Sequence, residues 1–123
     1  MTKQAALHKF FNSFGVKAYP ADNVPDNVSL PYIDYESKVG AFDSGEIAIA
    51  VNLFCYTSKE AEPNAIVQKI SERIGIGGCT IPCDGGFIWL KRGSPWCQTV
   101  VESSDTNVKR RYINISAEFM TAD

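Results

Sequence analysis

The segment Glu46-Ile-Ala-Ile-Ala-Val-Asn-Leu-Phe-Cys-Tyr56 constrains the fold more than any other stretch of the chain. Ile47, Ile49, Val51, Leu53 and Cys55 alternate with Ala48, Ala50, Asn52, Phe54 and Tyr56. Side chains of a strand project to opposite faces with period two, so the first set forms an unbroken apolar face and the second a mixed one. A strand this long with one apolar face belongs inside a sheet. That face packs on helices, and the other, semi-polar face is left to meet solvent or a partner.

Two segments can supply the helical cover. Within Thr2–Phe14, Leu7, Phe10, Phe11 and Phe14 recur at i, i+3, i+4 and i+7, with Thr2 placed as N-cap and Gly15 just past the end. A second helix opens near Thr57-Ser58 and runs to about Ile74, where Ile66, Ile70 and Ile74 line one stripe with Val67 alongside. Pro63 then belongs in the first turn and Gly75 closes the helix. The glycines of Gly75-Ile76-Gly77-Gly78 follow a helix, and no Gly-Lys-Ser/Thr accompanies them, so they do not read as a phosphate loop.

The remaining periodic segments read as strands: Val16–Ala21, Pro31–Lys38, Cys79–Cys83, Phe87–Arg92 and Val108–Phe119. Gly93-Ser94-Pro95 is expected to break the fourth of these, with Gln98–Glu102 returning as its hairpin partner. In the last, Ile113, Ile115, Ala117 and Phe119 face one way and Tyr112, Asn114, Ser116 and Glu118 the other. The expected architecture is α+β: a mixed, mainly antiparallel sheet of about five or six strands with two helices packed on one face. Residues 1–123 read as a single domain.

Composition narrows the function. Lys plus Arg is 12 and Asp plus Glu is 14, a net charge of −2 that argues against a dedicated nucleic-acid binder. The longest purely apolar run, Ile47–Val51, is far short of the ~20 residues of a membrane span. No apolar stretch follows Met1-Thr2-Lys3-Gln4, so the chain is expected to be soluble and cytosolic where it is made, with Cys55, Cys79, Cys83 and Cys97 reduced. Cys79 and Cys83 are spaced C-x3-C, but Cys97 follows after 13 further residues and His8 is remote, so neither a metal site nor a cofactor is expected.

Asp34 and Glu36 share one strand face and are the best carboxylate pair for acid–base work or a divalent ion, although such a pair is more often a solvated face. No nucleophile or further acidic motif converges on them in sequence, and His8 has no Ser–Asp companions. Lys109-Arg110-Arg111 is the main basic run. The chain also carries 7 Phe and 5 Tyr besides its tryptophans. Phe54 and Tyr56 fall opposite the expected core, and Trp96 falls in a loop, where aromatics serve interfaces.

Several segments together resemble the small tail terminator (tail-completion, or minor capsid) proteins of long non-contractile-tailed bacteriophages and prophages. They are the Leu7–Phe14 helix leading to Leu30-Pro31-Tyr32-Ile33-Asp34-Tyr35, the Ile47–Tyr56 strand leading to a helix, Phe87-Ile88-Trp89-Leu90-Lys91-Arg92-Gly93-Ser94-Pro95, and Arg110-Arg111-Tyr112-Ile113-Asn114-Ile115. The likeness spans about residues 5–119, and none of its motifs is a catalytic signature. It implies a mixed sheet packed on helices and a non-enzymatic role in the virion tail, after assembly in the host cytoplasm. It implies a ring, commonly a hexamer, seated on the tail tube. Such a ring stops polymerisation of the major tail protein, meets the head-completion proteins and lets DNA pass without specific binding.

Within that frame, residues 40–45, with Phe42 and Asp43, and residues 103–107, with Asp105, are the expected ring or tube contacts. Lys109, Arg110 and Arg111 are expected to pair with Asp34 or Glu36 of a neighbouring copy. Another head–tail connector of the same assembly and, more remotely, a metal-dependent enzyme using Asp34 and Glu36 are the alternatives.

Overall fold

A computed structural model of the protein describes residues 1–39, 46–101 and 106–122. Helix α1 (Lys3–Phe11) runs into a single 3-10 turn and is followed by strands β1 (Lys17–Pro20), β2 (Tyr32–Val39) and β3 (Glu46–Tyr56). Helix α2 (Ala61–Ile74) precedes β4 (Cys79–Cys83), β5 (Gly86–Val101) and β6 (Val108–Thr121). The six strands form one sheet in the order β1-β2-β3-β6-β5-β4. The β1–β2 pair is parallel and every other pair antiparallel. The α+β architecture with a mixed, mostly antiparallel sheet is therefore as expected. No helix among the described residues is long and apolar enough to cross a membrane.

The apolar face of β3 lies against both helices. Thr2 caps α1 by accepting from the Ala5 amide at 3.1 Å, and the helix buries Ala6, Leu7, Phe10 and Phe11. Phe11 stacks on Tyr35 of β2 with ring centroids 4.7 Å apart and meets Phe10 edge-on. Pro63 sits in the first turn of α2, where its missing N–H is harmless, and Ile66, Ile70 and Ile74 follow on the buried stripe. These side chains join Ile33, Ile49, Val51, Leu53, Ile88, Leu90, Ile113 and Ile115 in one continuous core.

The second half of the sheet corrects one expectation. Gly93-Ser94-Pro95 does not turn the chain back: β5 continues in one direction to Val101 and pairs with β6 on both sides of an irregularity. The five steps from Arg92 to Cys97 are matched by only two on β6, from Ile115 to Ile113. The extra residues form a wide bulge. Asn114 donates from its side-chain amide to the Pro95 carbonyl at 2.7 Å, which holds the bulge over β6. Gly93 is needed there, because a Cβ would lie 2.8 Å from both the Cβ and the carbonyl oxygen of Asn114. The bulge also turns Trp96 onto the core, so this residue is partly buried packing and not an exposed loop aromatic.

Candidate interaction surface

Both helices bury their apolar stripes on one side of the sheet, which leaves the other side without a helix among the described residues. Strand alternation and register dictate what that side displays. Tyr19 of β1, Tyr32 of β2 and Phe54 of β3 share this face: Tyr32 lies directly opposite Phe54, whereas Tyr19 lies opposite Asp34, diagonal to Tyr32. Tyr19 meets Tyr32 edge-on at 6.3 Å, and Tyr32 stacks on Phe54 at 4.9 Å. The register places Arg110 of β6 directly beside Phe54, extending that cross-strand pair with a cation.

A hydrogen-bonded polar chain runs next to these rings. Arg110 donates through Nη1 to Asn52 Oδ1 at 2.9 Å, and Asn52 donates through Nδ2 to Asp34 Oδ1 at 2.9 Å. The chain spans β6, β3 and β2 and fixes both charged ends. Farther along the same face, the Lys91 ammonium sits 4.2 Å from the Trp89 ring centroid. Trp89 in turn donates its indole N–H to the Gly77 carbonyl at 2.9 Å.

Burial pushes the Asp34 carboxyl up from its ordinary range, against the opposing pull of the Asn52 hydrogen bond and the Arg110 charge. A folded-state value above the unfolded one favours the folded protein while the group is protonated, and the benefit is lost as pH rises through the folded value. Asp34→Asn stays neutral and keeps an acceptor for Asn52. It is expected to melt higher than the wild type at pH 7, and the difference should close below about pH 3, where Asp34 is protonated in both states. Thermal melts across that range check this.

The basic run does not act as one group. Period two sends Arg110 to the bare face but Lys109 and Arg111 to the helix side. Lys109 is 3% exposed and donates to Glu60 at the start of α2, and Arg111 donates to the same carboxylate at 2.8 Å. The Glu60 carboxyl is held below its ordinary range, first by the Lys109 hydrogen bond and then by both cations. A buried, internally paired lysine is not available to an acid on a neighbouring copy, which corrects the expectation for Lys109.

The other expected contact residues are spread over the molecule. Tyr56 ends β3 and is 47% exposed. Glu36 is exposed and lines a shallow cleft with His8, Asp22 and Tyr35, in which His8 Nδ1 lies 3.2 Å from the Tyr35 hydroxyl. Phe42, Asp43 and Asp105 lie outside the described residues. Among the described residues no three His, Cys, Asp or Glu side chains gather into a group able to hold a metal. Cys79 and Cys83 stand at opposite ends of β4, about 13 Å apart by strand rise, too far to share an ion. Cys55 is core, its thiol pushed up by burial.

Asn52 and Glu60 are the contributors that sequence reasoning missed. Asn52 had a signal, as the polar residue midway along the mixed face of β3, between Ala50 and Phe54. Glu60 had none, because its role depends on β6 passing beside the α2 N-terminus. Comparison with protein-family models, with curated proteins and with solved structures finds no match.

Proposed function

We propose that this protein is a structural component of a phage virion that caps the tail tube as an oligomeric ring, commonly a hexamer, and joins the tail to the head-completion proteins. The observation that carries the reading is the sheet face that holds no helix among the described residues, with Tyr19, Tyr32 and Phe54 grouped on it and Arg110 beside Phe54. Tyr32 and Phe54, stacked in register, and an arginine already held by Asn52 lose little freedom on docking, which is what a rigid assembly surface requires. Aromatics and arginine are also the side chains that anchor protein interfaces. Copies of the same chain, the major tail protein and the head-completion proteins are the partners. DNA passes through the ring without specific contact, and no cofactor takes part.

The test uses polymerised major tail protein of the same virus. Wild-type protein is expected to seat on tube ends in electron micrographs and to stop their elongation. A Tyr32→Ser/Phe54→Ser double variant should keep its circular dichroism spectrum and lose at least about 2 kcal/mol of binding, a weakening of roughly 30-fold. Tubes that elongate freely in the presence of wild-type protein, or a double variant that caps as well as wild type, would overturn the reading.

A further inference from the structure

Where α1 meets the last turn of α2 and the outer strand β4, the packing leaves a cleft of about 440 Å³. Small-molecule sites run from about 300 to 1,000 Å³, so the size suits a compact ligand. Ala6 and Phe10 of α1 and Ile81 of β4 build its apolar wall, and Ala6 adds only a methyl group, which leaves the space. Lys9 and Arg73 line it too and reach solvent. The Arg73 guanidinium lies over the Phe10 ring, 5.6 Å from its centroid, and hydrogen-bonds to the Cys79 thiol. Among the described residues neither cation forms an ion pair. Asp84, the only carboxylate among the described residues that line the cleft, is taken by the Met1 ammonium. Both cations lie in the last turns of their helices, but a helix end carries only about half a negative charge against each full positive one. The cleft is therefore apolar within and net positive at its rim.

We propose that this cleft binds a small amphipathic carboxylate, its apolar body against Ala6, Phe10 and Ile81 and its charged end between Lys9 and Arg73. Each half of such a ligand answers one feature of the cleft. Burying the body removes apolar surface of both partners from water. A planar carboxylate matches the fork of a guanidinium that Phe10 already orients. A neutral head gains the first and not the second, and an ammonium is repelled by both cations. The cleft is on the helix side of the sheet, so it stands apart from the capping surface that holds Tyr32 and Phe54.

Isothermal titration calorimetry with decanoate, decanol and decylammonium tests this. Wild-type protein is expected to bind decanoate saturably and at least about tenfold more tightly than decanol, with decylammonium weaker still. Arg73→Gln should remove most of that preference, and Lys9→Gln part of it. Both residues are exposed, so each variant should keep the wild-type circular dichroism spectrum and melting temperature. Lys69→Gln removes the same charge from α2 away from the cleft and should bind decanoate like wild type. Decanoate that gives no saturable heat below its micelle range, as a cleft reserved for another protein's side chains would, overturns the proposal. So does decanol that binds as tightly as decanoate, an Arg73→Gln variant that keeps the wild-type preference, or a Lys69→Gln variant that loses it equally.

Discussion

Replacing Phe11 by Ala is expected to lower the free energy of unfolding by about 3–5 kcal/mol, the range for deleting a fully buried phenylalanine. Phe11 is 0% exposed, and its ring is shared between Phe10 on the same helix and Tyr35 on the sheet. The loss therefore opens a cavity at the seam between layers, where neither backbone can move in to fill it. Domains of this kind have only about 5–15 kcal/mol in hand, so the variant should sit close to its unfolding threshold. Urea unfolding reads the effect as a lower midpoint at constant slope. Phe54→Ala, by contrast, removes a ring that is only partly buried, and should cost no more than about half as much because part of its surface is already wet. A loss below about 1 kcal/mol at Phe11 would show that α1 is not docked as described.

The second large effect is expected at the Glu60 cluster, and it is asymmetric. Glu60→Ala leaves Lys109 charged, buried and without its carboxylate, and deprives Arg111 of the same partner. Removing one member of such a group is far more damaging than removing the buried charge itself. Glu60→Ala should lower the melting temperature by many degrees, and Lys109→Met should leave it nearly unchanged, because the freed Glu60 carboxylate is already in contact with water. The double variant should recover most of what Glu60→Ala loses. Acidification should reproduce the single loss. Glu60 has a folded-state value below its unfolded one, so its contribution is present above the unfolded value, near pH 4.3, and disappears as pH falls through the lower folded value. Glu60→Ala should flatten that part of the stability profile. An identical profile in the variant would sink the assignment.

Local pattern was enough for β3, whose bounds and faces follow from alternation alone, and for the stripe and end of α2, marked by isoleucine spacing and Gly75; its start, expected near Thr57-Ser58, falls instead at Ala61, which leaves Pro63 in the first turn. It was not enough for β5. Gly93-Ser94-Pro95 has the composition of a turn, and turns and wide bulges draw on the same residues. What separates them here is the Asn114 amide, 19 positions away, which catches the Pro95 carbonyl. The basic run is a different case. The alternation that sorts Ile113 from Tyr112 already assigns Arg111 and Lys109 to the inner face and Arg110 to the outer, so reading the three as one patch ignored a signal that was present. On the candidate surface, the residues belonging to the bare face were legible from alternation, but the grouping of the rings was not. The stacking of Tyr32 on Phe54 depends on how β2 and β3 are aligned, which hydrophobic spacing within either strand leaves open.

The position of β6 has a consequence for how the molecule is made. β6, the last of the six strands in chain order, lies between β3 and β5, so the β1-β2-β3 and β5-β4 parts of the sheet are joined only through it. A nascent chain halted before Val108 holds two partial sheets, β1-β2-β3 and β5-β4, each exposing the flank that β6 will join. The β5–β6 pairing is local, but β3–β6 joins segments far apart in the chain, from Tyr56 with Val108 to Glu46 with Glu118, and pairing at that separation forms slowly. The ribosome-bound intermediate is therefore the sticky species, and chaperones that shield hydrophobic flanks during synthesis should govern the yield of native protein more than the stability of the finished fold does.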